Sequence, residues 1–395
     1  MIVKLSSNVM KKQKTYARMF LLIGLFILTT NIFAQDSDFY IYLCFGQSNM
    51  EGQGTIETID RTVDSRFQVM QALDCSNLGR TKGAWYTAVP PLCQCWSRLC
   101  PADYFGKTMV LNLPDSIRVG VINVSVGGCD IRLFDKDIYQ DYDSTYTASW
   151  FLDKLEDYEW NPYQYLIELA QLAELDGVIK GILLHQGETN TGQDEWPSYV
   201  KKIYNDMLTD LSLEADSIPL LAGEVLSAEG NCCASMNTII NRLPDTIPTA
   251  YVISSSGCPG QDDAHFNSEG YRILGIRYAK TMLSIMGYDT TDLEYPEISG
   301  IDLEEEPDGY LLGQNYPNPF SSATSIKFYL PQKVKVTLEV LDVSGRTIET
   351  LIDNVESIGE HTITYDGSKL SSGTYLYRLR TSTGFTQSKK MLLVK

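Results

Sequence analysis

The sequence predicts an α/β layered fold with a mostly parallel sheet, followed by a small all-β sandwich. Three observations carry this expectation. Short apolar runs recur between Phe39 and Ser254, too short for helices and ending in glycine or polar residues. Between them lie stretches whose apolar residues repeat at helical spacing. From residue 312 the pattern changes to alternating strands with Gly-bearing turns, and the sign of the charge changes with it.

The chain has 395 residues, 44% of them apolar and 21% charged, enough for two or three domains of the usual ~100–200 residues. Such a composition excludes disorder throughout. The net charge of −18, from 50 acidic and 32 basic residues, excludes a phosphate-reading surface, so no nucleic-acid partner is expected. The charge is unevenly placed. Residues 36–308 hold 43 acidic and 17 basic residues, a net of −26, whereas residues 309–395 are +3. Two domains are expected, 36–288 and 312–395, joined by an acidic, proline-bearing linker at 289–311.

Residues 1–34 read as an export signal. Lys11, Lys12, Lys14 and Arg18 precede the apolar run Met19 to Leu28, and Ala34 offers a small residue before a cleavage site at Gln35; Met10 is an alternative start. The run is shorter than the ~20 residues of a spanning helix, so no transmembrane segment is expected after cleavage.

The first strand is FYIYLCF, Phe39 to Phe45, apolar on both faces as in a parallel sheet. Further strands are expected at Val119 to Val126, Gly177 to Leu184, Ile218 to Val225 and Thr249 to Ser254. Helical spacing is found from Pro162 to Leu175 and Trp196 to Leu213, and Ser268 to Lys280 reads as an amphipathic helix. In such a fold ligands bind outside the carboxyl ends of the strands, and the polar residues fall there.

All nine cysteines lie between Cys44 and Cys258. Disulfides are permitted in an exported chain. They are expected among Cys75, Cys93, Cys95 and Cys100 and at Cys232 and Cys233, in preference to a metal site, since the spacing is not CxxC and no His is near. An odd number leaves at least one thiol unpaired, and Cys44, inside the first strand, is the candidate.

GQSNMEG follows the first strand. Ser48 there would expose its hydroxyl at the mouth of a helix, as a nucleophile or as a plain N-cap. The GxSxG elbow of other hydrolases is absent, because Met50 stands at its second glycine. Of three histidines, His361 belongs to the tail. His265 follows Asp262 by three residues, close enough for the carboxylate to bond Nδ1 and turn Nε2 toward the serine. HQGE, His185 to Glu188, places an amide and a carboxylate after a buried strand.

GQSNM at Ser48, VGG at Val126 to Gly128, HQGE at His185 and DxxH at Asp262 to His265, in that order, resemble the SGNH hydrolases. The match is to the acetylesterase branch that includes family six acetylxylan esterases and sialate O-acetylesterases, over about Asp36 to Met286. The resemblance implies a flavodoxin-like three-layer α/β/α sandwich and hydrolysis of sugar acetyl esters without metal or other cofactor. It makes Ser48 the nucleophile, His265 the base and Asp262 the orienting acid, with Glu188 a rival for that acid and Asp263 a weaker one. The Ser48 N–H, a Gly127 or Gly128 N–H and the Gln186 side chain become the oxyanion hole, and Gln47 is expected to touch the substrate. His185 is expected to hold its loop by hydrogen bonding.

In the tail, LGQNYPNPFSSATSIKFYLP, LDVSGR, LSSGTYLYRLR and KKMLLVK resemble the type IX secretion sorting domain, which implies passage across the outer membrane and a secreted or surface-attached protein. A carbohydrate-binding sandwich would want more exposed aromatics than Tyr375 and Tyr377. The expected function is therefore an exported serine esterase acting on acetylated carbohydrate, with plant glycan such as xylan favoured over sialate. A non-catalytic surface carbohydrate-binding protein on the same scaffold is the alternative from another class. The acidity of residues 36–308 weighs slightly against polyanionic substrates, although screening over ~8 Å restricts this to charges near the cleft.

Overall fold

The computed structural model describes residues 35–143, 148–227, 231–296 and 310–395, the last without 314, 316, 331–332, 344 and 358. The expected export signal and most of the expected linker lie outside the described residues. The chain divides near residue 300 into two compact units.

The first unit is built on a seven-stranded sheet in the order β3-β2-β4-β1-β5-β6-β7. Its strands are β1 (Asp36–Gly46), β2 (Phe67–Met70), β3 (Trp85–Thr87), β4 (Arg118–Ser125), β5 (Gly177–His185), β6 (Leu220–Gly223) and β7 (Ala250–Ile253). All neighbours pair in parallel except β2 and β3. Five strands, β4-β1-β5-β6-β7, have the flavodoxin-like order, and β2 and the antiparallel β3 extend it at one edge. The expected strands are all present. The sequence reading missed β2, β3 and the helix Pro101–Asn112.

Strand β1 is apolar from Phe39 to Phe45 because both its faces are covered there. Phe39, Ile41, Leu43 and Phe45 join a core that includes Leu166 and Leu169 of the helix Pro162–Ala173 and Val200 and Ile203 of the helix Trp196–Asp210. Tyr42 points the other way and meets Phe105 of the 101–112 helix edge-on at 4.8 Å between ring centres. That helix packs against Ser268–Ile285, which completes the third layer. Burying a large side chain of this kind contributes about 1.5–3 kcal/mol, and β1 places five of them.

The register sets up the site. Gly46, the last residue of β1, lies between Ser125 of β4 and His185 of β5, so three strands end side by side. The turn after Gly46 is fixed on both flanks, since the Gln47 N–H donates to the His185 carbonyl (3.0 Å) and the Val126 N–H to the Gly46 carbonyl (3.0 Å). Gly46 has φ +149°, and a Cβ there would lie 2.1 Å from the His185 carbonyl oxygen; only glycine fits.

Two disulfides join Cys75 to Cys95 and Cys232 to Cys233. Cys44 is unpaired and buried, as expected, but so are Cys93 and Cys100, which the sequence reading had placed among the disulfides. The Cys93 thiol lies 3.3 Å from the Tyr158 hydroxyl, inside the core. Burial pushes all three thiols well up from their ordinary range, so they behave as small hydrophobes.

The second unit has a four-stranded antiparallel sheet of β11 (Thr347–Glu356), β10 (Val334–Leu341), β13 (Gly373–Thr381) and β14 (Thr386–Leu393). A three-stranded sheet of β12 (Gly359–Asp366), β9 (Ala323–Leu330) and β8 (Leu311–Leu312) accompanies it. Strand β9 alternates exposed and buried residues, and Ile326, Phe328 and Leu330 join Val336, Leu338 and Val340 of β10 in one core. Tyr377 is buried, its hydroxyl donating to the Gly313 carbonyl (2.6 Å), so it offers no sugar platform. Among the described residues no helix is long and apolar enough to cross a membrane.

Candidate active site

Ser48 opens a single helical turn, Ser48–Glu51, entered through extended Gln47. The cap position falls to Gln47, whose carbonyl accepts the Met50 and Glu51 N–H groups (2.9 and 2.8 Å). The Ser48 hydroxyl is therefore not spent on capping. Its Oγ lies 2.9 Å from His265 Nε2, although the two residues are 217 positions apart.

His265 sits on the loop before the 268–285 helix, which Asn267 caps by accepting the Gly270 N–H (2.9 Å). Asp262 folds back onto this loop. Its carboxylate accepts the Ala264 and His265 N–H groups (2.9 and 2.8 Å) and lies 2.9–3.0 Å from His265 Nδ1. Desolvation tends to raise the Asp262 carboxyl, but these N–H groups and the imidazole hold it below its ordinary value. Ser48, His265 and Asp262 thus form a continuous hydrogen-bonded line with the base able to take the serine proton.

Glu188 lies elsewhere. Its Oε1 accepts a hydrogen bond from Asn49 Nδ2 and stands 4.0 Å from His185 Nδ1. Asn49 is fully buried and uses all its capacity: it also donates to the Ala264 carbonyl (2.9 Å) and accepts from the Phe266 N–H (3.4 Å) and the Tyr271 hydroxyl (2.6 Å). This amide ties the serine turn, the HQGE loop and the histidine loop together. Asp263 is exposed, and its carbonyl accepts the Cys232 N–H (3.2 Å). His185 is buried with its Nε2 on the Glu224 carbonyl (3.0 Å), and burial lowers its pKa.

Two of the residues expected at the oxyanion hole have other partners. Gln186 is fully buried, and its Nε2 donates to Gln47 Oε1 (3.1 Å), the Cys129 carbonyl (3.2 Å) and Asn190, while its Oε1 accepts the Trp196 indole N–H. Both amide protons it could offer an oxyanion are engaged in holding the loop. The Gly127 N–H donates to Glu51 Oε1 (3.0 Å). Gly128, at φ +82°, completes the turn beside it. The Ser48 N–H has no acceptor among the described residues. Gln47 turns its Oε1 inward, toward Gln186 and the Gly187 and Thr189 N–H groups (both 3.4 Å).

Glu51 was not singled out in the sequence reading. Its side chain is fully buried and pairs with Lys154 Nζ at 2.8 and 2.9 Å. Burial pushes the Glu51 carboxyl up, against the pull of Lys154 and the Gly127 N–H. A Cβ on Gly127 would fall 2.6 Å from Lys154 Nζ and 2.7 Å from Glu51 Oε2, so a side chain there would have to displace the ends of this pair. Lys154 comes from the helix Ser149–Asp157 and lies 4.9 and 5.5 Å from the ring centres of the exposed Trp96 and Trp150. A cleft of about 610 Å³ opens beside the triad, lined by Gln53, Trp96, Arg98 and Gln261 together with Asp262 and His265.

Residues 38–284 match the family described as carbohydrate esterase, sialic acid-specific acetylesterase, and residues 314–395 match the secretion system C-terminal sorting domain. Among solved structures, a protein of Arabidopsis thaliana is 18% identical, with 62% of this chain and 98% of that one covered at a TM-score of 0.48. A carbohydrate acetylesterase from Xanthomonas citri is 13% identical, with coverages of 88% and 80% and a TM-score of 0.48. A family two carbohydrate esterase from Cellvibrio japonicus is 13% identical, with coverages of 63% and 62% and a TM-score of 0.34.

Proposed function

Because the chain belongs to the carbohydrate esterase family of sialic acid-specific acetylesterases, and so is a carboxylic ester hydrolase, we propose that it removes O-acetyl groups from carbohydrate through a Ser48-His265-Asp262 acyl-enzyme. The observation that carries this reading is the 2.9 Å approach of Ser48 Oγ to His265 Nε2 with Asp262 on Nδ1. Ser48 Oγ attacks the acetyl carbonyl while His265 Nε2 takes its proton, giving a tetrahedral oxyanion and an imidazolium that Asp262 stabilises. The imidazolium then protonates the departing sugar oxygen, leaving acetyl-Ser48. Water, deprotonated by His265, attacks that ester; acetate leaves and Ser48 regains its proton.

The Ser48 N–H is the first oxyanion donor, with the turn at Gly128 beside it, each such donor lowering the barrier by roughly 3–4 kcal/mol. Gln186 and Glu51 act at one remove, by fixing the loops from which those donors come. The substrate we favour is an acetylated plant glycan, xylan or a relative, with O-acetyl sialate the alternative. The sorting domain at 314–395 marks the chain for handling by the type IX system, and with removal of residues 1–34 this gives a secreted or surface-attached enzyme. The domain limits 36–288 and 312–395 belong to the same reading.

Purified protein lacking residues 1–34 is expected to hydrolyse p-nitrophenyl acetate and to release acetate from acetylated xylan. Well-folded protein that turns over no ester at all would overturn the esterase mechanism and favour a carbohydrate-binding role.

A further inference from the structure

Cys232 and Cys233 are bonded to each other, at a sequence separation of 1. In the chain-entropy account a disulfide stabilises a fold by closing a loop in the unfolded chain, and the effect grows with the length of that loop. The Cys75–Cys95 bridge closes such a loop, over a separation of 20. The vicinal bridge closes none. What it constrains is local: the peptide between the two cysteines and the dihedrals on either side of it, held in a small ring that opens when the bond does.

That ring is attached to the histidine loop. The Cys232 N–H donates to the Asp263 carbonyl (3.2 Å), and Asp263 directly follows Asp262. The same two segments meet again nearby, where a Cβ on Gly260 would fall 2.5 Å from Leu226 Cδ2. Within the loop the Gln261 N–H donates to the His265 carbonyl (2.9 Å), and the Asp262 carboxylate takes the Ala264 and His265 N–H groups. Asn49 holds this turn at Ala264, and Cys232 holds it at Asp263.

The second attachment matters because Gln261, Asp262 and Asp263 are all exposed. Packing does not fix them, so the approach of Asp262 to His265 Nδ1 depends on hydrogen bonds alone. The bridge is also open to attack on one side. Cys232 is exposed, whereas Cys233 is only 8% exposed. The five unpaired cysteines are all buried.

We propose that the Cys232–Cys233 bridge is a positioning element for Asp262, and that its reversible reduction by a dithiol turns the hydrolase down. The inference rests on the Ser48-His265-Asp262 reading and adds a redox control to it. A thiolate of the dithiol attacks Cys232 Sγ, the bond between the cysteines breaks, and Cys233 leaves as a thiolate that takes up a proton. The second thiol of the reductant attacks its own sulfur in the mixed disulfide and releases Cys232, which is protonated in turn. The reductant departs as a cyclic disulfide, having supplied both electrons and both protons. The dihedrals around the freed peptide relax, the Cys232 N–H leaves Asp263, and Asp262 loses its fixed approach to the imidazole. Exchange with an oxidised dithiol runs the same steps backwards.

The test uses protein lacking residues 1–34 and carrying Cys75→Ala and Cys95→Ala, so that the vicinal bridge alone remains to be reduced. Turnover of p-nitrophenyl acetate is measured before and after dithiothreitol, with opened bridges counted by alkylation and mass spectrometry. On reduction kcat is expected to fall about ten- to a hundredfold, the effect of misplacing a catalytic group by an ångström or so, with KM within about twofold. The thermal midpoint should stay within about a degree or two, because this bridge closes no loop. Removing the reductant and adding oxidised dithiothreitol should restore kcat. Cys232→Ser with Cys233→Ser should start at the low kcat and ignore the reductant. Complete reduction at unchanged kcat, full activity in the double serine variant, or a loss of kcat that only follows a fallen thermal midpoint would each overturn the positioning role. Oxidised protein that turns over no ester counts instead against the esterase mechanism. In that event hydrogen exchange at the Ala264 and His265 amides, both donated to Asp262, still decides the matter, with rates unchanged by reduction overturning the inference.

Discussion

Asn49 donates one amide hydrogen to Glu188 and the other to the Ala264 carbonyl, next to His265. The Glu188 carboxylate is thus linked to the histidine loop through a neutral amide, whereas Asp262 reaches the imidazole itself. Asp262→Asn is expected to lower kcat by several orders of magnitude, since an amide there favours the wrong tautomer. Glu188→Gln is expected to cost much less, because a carboxamide oxygen can still accept from Asn49. Circular dichroism should be unchanged for both; the reverse order of losses would make Glu188 the triad acid.

Ser48→Ala removes the proposed nucleophile and leaves the turn intact, because the cap of that turn is Gln47. Thermal unfolding is expected within a degree or two of wild type, with p-nitrophenyl acetate turnover near background. Ordinary turnover by this variant would remove Ser48 from the mechanism.

Lys154→Met leaves Glu51 buried without its counter-charge. Breaking a buried pair in this way typically costs about 3–5 kcal/mol. Glu51→Gln should be milder, since Lys154 keeps some solvent access and the amide oxygen can still accept the Gly127 N–H. Because burial raises the folded-state pKa of Glu51, the native protein binds its proton more readily than the unfolded chain, and this group's contribution to stability falls as pH rises through that raised value. Losing Lys154 raises it further. The melting-temperature gap between Lys154→Met and wild type should therefore narrow toward acid pH, and a gap independent of pH would show that Glu51 is not the cause.

The Cys75–Cys95 bridge closes a loop over a sequence separation of 20. Loop-closure entropy assigns such a link about 3 kcal/mol. Replacing both cysteines by alanine is expected to lower the denaturation midpoint accordingly. Turnover of p-nitrophenyl acetate at low temperature should persist.

Strands β1, β4 and β5 were legible because each is an apolar run longer than its neighbours and ends in a glycine or a motif. The 101–112 helix was not, although Pro101 stands at its first turn. It is buried from Pro101 to Val110, so it lacks the polar face that makes a helical period visible. Strands β2 and β3 are four and three residues long, too short for any period. At the site, Ser48, Asp262 and His265 were readable from local motifs. What Gln186 and Glu51 do was hidden, because Gln186 is consumed by Gln47, Asn190 and Trp196 and Glu51 by a lysine 103 positions away. Side-chain hydrogen bonds of this kind leave no periodic trace in one sequence, whether the partner is near or far along the chain.

The separation between nucleophile and base has a consequence for when activity can begin. Ser48 emerges early in synthesis, but its partner follows 217 positions later, and Asn49 also waits for Ala264, Phe266 and Tyr271. On the proposed mechanism, a nascent chain short of that point holds the serine without its proton acceptor and cannot hydrolyse an ester. The order in which the chain is made therefore acts as a timer: the hydrolase stays silent until nearly the whole of its first unit has been synthesised and has closed on itself.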